Sequence, residues 1–216
     1  MRKAFLVTGL ILPVLAACGS TTSGTTTPTA STASTPTAAP TAAPTAVPTP
    51  TPSLATAVPT SFDPCQLVTQ SEASSLAGTS FGPGTEQTNS GNGKTCVYGA
   101  ETLNVFTVNV AVASDAATAQ ADWATEEAEA KSALTKSVPP GVTLNYTLAD
   151  ANVTGADMSA SAVVSATFSG HTISESAIYL LVGPVFCGFG DLTVGTAAPS
   201  ISALETEASN NVVGRM

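Results

Sequence analysis

Basic side chains are scarce in this chain: six Lys and Arg among 216 residues, against fifteen Asp and Glu. Arg2 and Lys3 stand at the very start, and every acid lies from Asp63 onward. Without that first segment four basic residues face fifteen acids, a balance of −11. Nucleic acid and anionic headgroups are held by clustered Lys and Arg, so neither is expected as a partner of this surface. Histidine is almost missing too. His171 alone would have to serve any histidine-based chemistry, and Gly170-His171 predicts a tight hairpin tip, where a turn residue is exposed and no sequence neighbour supplies an acid or a base. Neither a Gly-x-Ser-x-Gly elbow nor a Ser-x-x-Lys motif fits, which leaves a Ser-His-Asp hydrolase without its frame. No Cys-x-x-Cys is present, so a thioredoxin-like centre and a zinc knuckle both lack their spacing. The one N-terminal apolar run, Ala4 to Ala16, is shorter than the roughly 20 residues a transmembrane helix needs.

That run follows Arg2 and Lys3 and ends in Leu15-Ala16-Ala17-Cys18, the pattern of a secretory signal closed by a cysteine. The segment resembles a bacterial lipoprotein signal, in which the cysteine is diacylated and becomes the first mature residue. The resemblance implies a signal peptide over 1–17, lipidation at Cys18, and a protein held to the cell membrane on its extracytoplasmic face by acyl chains. Residues 18–60 carry no charge and are almost wholly Thr, Pro, Ala and Ser. Their prolines favour extended polyproline II at about 3.1 Å per residue, a tether with a reach on the order of 100 Å. The Thr/Pro composition also fits an O-glycosylated stalk, although a plain spacer is the simpler reading.

Residues 61–216 read as one α+β domain, with helices packed on one side of an antiparallel sheet of five to six strands in the order α-β-β-α-β-β-β-β-α. Asp63-Pro64-Cys65-Gln66 has the capping residue, first-turn proline and glutamine of a helix start, and Thr69-Gln70-Ser71-Glu72 repeats the capping box. The stretch 79–94 reads as a loop. Strands are expected at 95–98 and 103–113, with Phe106, Val108, Val110 and Val112 on one buried face. Asp115 to Lys136 lacks Gly and Pro and predicts a helix, with Ala116, Ala119, Trp123, Ala130 and Leu134 as its packed stripe. Four further strands are expected near 142–148, 160–169, 172–182 and 185–194, followed by a helix marked by Ile201, Leu204, Ala208 and Val212.

Asp63-Pro64-Cys65-Gln66-Leu67, Glu72-Ala73 and Cys96-Val97-Tyr98 resemble the small cell-envelope lipoproteins of Gram-positive-type bacteria that carry a DPC motif and form a family of unknown function. The resemblance spans roughly 62–216 and implies a non-enzymatic envelope protein with a structural cysteine pair. With Cys18 lipidated, Cys65, Cys96 and Cys187 allow three pairings. Cys65 with Cys96 is the favoured one, because it ties the opening helix to the first strand. Cys187 departs from the two-cysteine pattern and, among Val185, Phe186 and Phe189, reads as a buried thiol.

Three other features bear on chemistry. Asp115, Asp122, Glu126 and Glu129 share a helix flank and read as a solvated face, since no calcium-loop spacing accompanies them. The glycines of Cys187-Gly188-Phe189-Gly190-Asp191 lack the lysine and helix of a phosphate loop and mark close packing in a strand. Glu175 falls on an apolar face with Val164, Ala177 and Tyr179, either at the rim of the sheet or in a polar spot of a pocket, and the rim is the simpler placement. The expectation is therefore a non-catalytic binding module, without cofactor or metal, whose partner is an envelope protein or cell-wall component. A carrier of a small apolar ligand between sheet and helix is the alternative, and an envelope hydrolase comes third.

Overall fold

The computed structural model describes residues 62–89, 93–136, 142–168 and 170–216, with the side chains of Glu126, 129–136 and Phe168 excepted. The signal segment, Cys18 and the tether lie outside the described residues. The chain opens with α1 (Pro64–Leu67) and α2 (Gln70–Ala77), continues through β1 (Thr85–Thr88), β2 (Lys94–Tyr98) and β3 (Asn104–Val112), and crosses in α3 (Ala116–Lys136). The strands β4 (Thr143–Asp150), β5 (Met158–Phe168), β6 (His171–Val182) and β7 (Val185–Val194) follow. At the end, α4 (Ile201–Glu207) widens into a π turn over Ala208–Val212 and tightens into a 3₁₀ turn over Val213–Arg215.

All seven strands form one antiparallel sheet in the order β1-β2-β3-β7-β6-β5-β4. The α+β class is as expected, and the strand count is seven rather than five to six. The additional strand is β1, Thr-Glu-Gln-Thr, exposed along its whole length. It carries no apolar alternation, so nothing in its residues marks it as a strand; it forms because β2 offers it an open edge.

The helices lie on both faces, which corrects the expectation of one. On the first face Phe106, Val108, Val110, Ile178, Leu180, Cys187 and Phe189 pack with Leu67 and Val68 at α1, Ala73 of α2, and Leu204, Ala208 and Val212 of the closing helix. On the second, Ala111, Ala162, Ala177, Tyr179, Leu181 and Phe186 pack with Ala119 and Trp123 of α3. Strands β6 and β7 at the centre are buried on both sides, so their sequences lose the alternation that would have shown two layers. Trp123, 7 % exposed, stacks on Phe186 at 6.4 Å between ring centroids, the packing role its helical stripe predicts.

The β5–β6 turn also differs in register. Phe168 pairs with His171, so His171 already belongs to β6 and is not a turn residue. Gly170 takes φ +81°, a left-handed value that glycine accepts without strain. The shift moves Glu175 opposite Val164 instead of Ala166, and because it is a shift of two in the pairing, every side chain keeps its face.

Candidate functional site

The DPC segment is built by its caps. Asp63 Oδ1 accepts from the Cys65 amide at 2.9 Å, and Pro64 occupies the first turn, where its missing N–H costs nothing. Thr69 and Glu72 complete a reciprocal capping box: Glu72 Oε2 accepts from the Thr69 amide at 2.7 Å, and Thr69 Oγ1 accepts from the Glu72 amide at 3.4 Å. Arg215 from the far end of the chain donates to both Glu72 oxygens at 2.7 and 2.6 Å and to the Leu67 carbonyl at 2.9 Å. That guanidinium lies chiefly behind the drop of the Glu72 carboxyl to about 2. Tyr98 Oη donates to the Val68 carbonyl at 2.7 Å, and Cys65 is disulfide-bonded to Cys96 with 5.2 Å between their Cα atoms. The favoured pairing is the one present. An open groove of about 510 Å³ lies here, lined by Phe62, Asp63, Gln66, Leu67, Thr69 and Arg215. Asp63, Thr69 and Arg215 are engaged in caps and an ion pair, which makes the segment a clasp joining both ends of the domain.

Cys187 is wholly buried and free, and burial pushes its thiol up to about 12, where a thiolate is not populated at neutral pH. His171 is exposed at the start of β6. The string Gly78-Thr79-Ser80-Phe81-Gly82 does have the Gly-x-Ser-x-Gly spacing, a feature the sequence reading passed over. Gly78 is the left-handed C-cap of α2 (φ +63°), so the serine follows a helix, whereas the nucleophile elbow follows a strand and starts a helix. Asp115 accepts from Thr118 at the start of α3, and Asp122 is exposed. The side chains of Glu126 and Glu129 lie outside the described residues, among which no three metal-ligating side chains gather. Among those residues, too, no helix is long and apolar enough to cross a membrane.

The chemistry gathers instead on the second face, around the two glycines of β7. The register lays out three rows across β3, β7 and β6: Val105–Leu192–Glu175, Thr107–Gly190–Ala177 and Asn109–Gly188–Tyr179. Gly190 and Gly188 therefore lie between Thr107 and Asn109 of β3 and Ala177 and Tyr179 of β6, with Glu175 one row further along beside Leu192. Both glycines are required by close approach. A Cβ on Gly190 would stand 2.2 Å from the Ser176 carbonyl oxygen, and one on Gly188 would stand 2.9 Å from the Tyr179 ring. On this face Thr107 Oγ1, Asn109 Nδ2, Glu175 Oε1 and Tyr179 Oη are all buried and have no hydrogen-bond partner among the described residues. An unpaired buried polar group costs about 1–3 kcal/mol, so four on one face of the sheet call for partners such as a ligand or bound water.

Glu175 is 3 % exposed, so the rim placement is corrected: it sits in the interior, and burial raises its carboxyl to about 7. The same burial, with the nearby Glu175 charge, raises the Tyr179 phenol. On the opposite face Asp191 is 0 % exposed, pairs in register with Phe106 and Ser176, and has neither oxygen bonded among the described residues; burial raises it to about 6. Sequence reasoning missed the site because its members come from β3 and β6, far apart in sequence. The available signal was Glu175 on an apolar face together with two glycines in a central strand.

No curated protein matches the chain. Among solved structures it is similar to PA94 of Pseudomonas aeruginosa, a protein of unknown function described as a prospective regulator, at 17 % identity over 53 % of this chain and 68 % of that one, with a TM-score of 0.29. At that score the likeness bears on neither fold nor role. Residues 13–174 match the family described as Protein of unknown function (DUF3558). With its cysteine-clasped N-terminal segment and the following strands inside that match, the chain belongs to this family of unknown function.

Proposed function

We propose that this protein is a binding module anchored to the cell membrane through lipid on Cys18, displayed on the extracytoplasmic face by the 18–60 tether, and non-catalytic. Its ligand, drawn from the cell envelope, lies between α3 and the sheet, in contact with polar groups drawn from Thr107, Asn109, Glu175 and Tyr179. The observation that carries this reading is the set of four unpaired buried polar atoms on one face of the sheet. Pockets place a few polar groups in apolar surroundings in this way, and here the surroundings are Ala162, Val164, Ala177, Phe186 and Trp123. The set also refines the carrier alternative: a purely apolar ligand would leave all four groups unpaired.

A binding role fits the remaining chemistry better than catalysis. The free thiol is buried and protonated, and the histidine is exposed at the start of β6. The −11 balance opposes polyanionic partners, so the membrane is reached through acyl chains and not through the protein surface.

Native mass spectrometry of the protein purified from its own membrane tests the reading. The expected spectrum shows a retained small molecule beyond the lipid mass, lost from a Thr107→Val/Asn109→Leu variant that melts as a folded protein. Absence of any retained mass in the wild type, or its persistence in that variant, would overturn the ligand site. Mature Cys18→Ser protein that stays in the detergent phase would overturn the anchor.

A further inference from the structure

At the end of the second face where β5 gives way to β6, the register sets an apolar row, Leu144–Ala166–Ile173–Val194, next to the row that holds the buried acid, Val164–Glu175–Leu192–Val105. The row between them points to the other face and is polar throughout, Asn145–Ser165–Ser174–Thr193. Period two thus gives this end of the sheet one apolar side and one polar side. The apolar side is not closed. Leu144, Ile173, Leu192 and Val194 are half-buried, and Leu103, whose carbonyl accepts from the Val194 amide at 3.1 Å, is 68 % exposed. The packing of Ala119 and Trp123 lies at Phe186 and Leu181, and Leu181 is roughly 20 Å along β6 from Glu175. Glu175 is the one ionisable group of the two rows, 3 % exposed and with Oε1 unpaired among the described residues. Ile173 is its next neighbour on the same face of the same strand, roughly 7 Å away, so one short molecule reaches both. Among the described side chains the Lys and Arg cations are Lys94 and Arg215, and each already pairs with a carboxylate, of Glu86 and of Glu72.

We propose that the ligand is a cationic amphiphile of the envelope, with an ammonium group paired to Glu175 and a hydrocarbon chain lying over Ile173 and its apolar row. The proposal rests on the reading that a ligand lies between α3 and the sheet. A carboxylate held away from water needs an opposite charge and donors, and an ammonium group supplies both. A carboxylate head would set like charges together, in a protein whose balance is already −11. A hydroxyl head gives Glu175 a hydrogen bond and leaves its charge without a counterpart. The chain, in turn, removes from water the half-buried leucine, isoleucine and valine side chains that the packing of Ala119 and Trp123 does not reach. Head and tail therefore answer two separate features of adjacent rows, a charge without a cation and an apolar strip without a cover.

Four water-soluble probes test this: butylammonium, butanol, butyrate and ethylammonium. Each is titrated at neutral pH into the full-length protein in nanodiscs of zwitterionic lipid, labelled with ¹³C at the isoleucine methyls. The Ile173 δ-methyl, assigned by its loss in Ile173→Val, is expected to shift with butylammonium at a concentration at least about tenfold lower than with butanol or butyrate. Ethylammonium should need about tenfold more than butylammonium, because two methylenes no longer cover the apolar row. In Glu175→Gln, which keeps the shape and removes the charge, butylammonium is expected to lose about tenfold or more while butanol changes less than about threefold. A general attraction of cations to an acidic surface would survive that substitution. Butanol or butyrate binding as tightly as butylammonium overturns the proposal, and so does butylammonium binding unchanged in Glu175→Gln, or an Ile173 methyl that none of the four moves. A molecule without an amino group retained from the native membrane would sink the ligand class while leaving the ligand site standing, whereas no retained mass removes the site itself, so the two failures are distinguishable.

Discussion

Acid should stabilise this protein before it unfolds it. Glu175 and Asp191 are both raised by burial, from 4.5 to about 7 and from 3.8 to about 6. A folded-state pKa above the unfolded one means that the unfolded chain ionises first, so stability falls as pH rises through that window and levels off above the folded value. One pKa unit corresponds to about 1.4 kcal/mol, so each carboxyl, once ionised, costs the fold about 3 kcal/mol. Roughly two-thirds of the combined cost is absent at pH 5, and local relaxation lowers the figure, so the protein should be about 2 to 4 kcal/mol more stable at pH 5 than at pH 8. In melting temperature that is on the order of 10 °C for a domain of this size. The opposing group is Glu72: its pKa is depressed to about 2, so its contribution is present above 4.5 and fades only as pH falls below that. It therefore stays outside a comparison of pH 5 with pH 8. Urea unfolding followed by Trp123 fluorescence would measure the difference, and Glu175→Gln/Asp191→Asn should flatten it. Stability that rises from pH 5 to pH 8 in the wild type would refute the reasoning.

Three further outcomes follow from particular contacts. Cys65→Ser and Cys96→Ser should each lower stability by about 3–4 kcal/mol, since either opens the same loop; in denaturation curves their costs should agree, and Cys187 should react with maleimide only on unfolding. Gly190→Ala should prevent folding or cost more than about 3 kcal/mol, because its Cβ would meet the Ser176 backbone, whereas Gly188→Ala should cost less by displacing only the Tyr179 ring, an ordering that thermal melts would check. His171→Ala should change stability by less than about 0.5 kcal/mol and leave the pull-down of any partner intact; loss of binding with an intact melt would give that hairpin a role of its own.

Local signals carried much of the fold. The caps at Asp63 and Thr69, the gap between breakers that became α3, and the alternation through β3 are interactions over a few residues, and the structure keeps each within a residue or two. What escaped depends on partners distant in the chain. Thr85–Thr88 is a strand only because β2 is there, and the two-sided burial of β6 and β7 follows from α3 crossing to the opposite face from α4. Glu175 shows both limits. Its face was legible, because period two survives a register shift of two, but its depth was not, because depth is set by what covers the sheet. Asn109 carried no signal at all; its meaning comes from Thr95 on the neighbouring strand and from a glycine pair 80 residues later in sequence.

A high-resolution crystal structure of protein taken from its native membrane, without refolding, tests the central claim most directly. The account predicts ligand density between α3 and the sheet, within hydrogen-bond distance of polar atoms among Thr107 Oγ1, Asn109 Nδ2, Glu175 Oε1 and Tyr179 Oη. Four atoms satisfied instead by α3 side chains, with no ligand between α3 and the sheet, would contradict it.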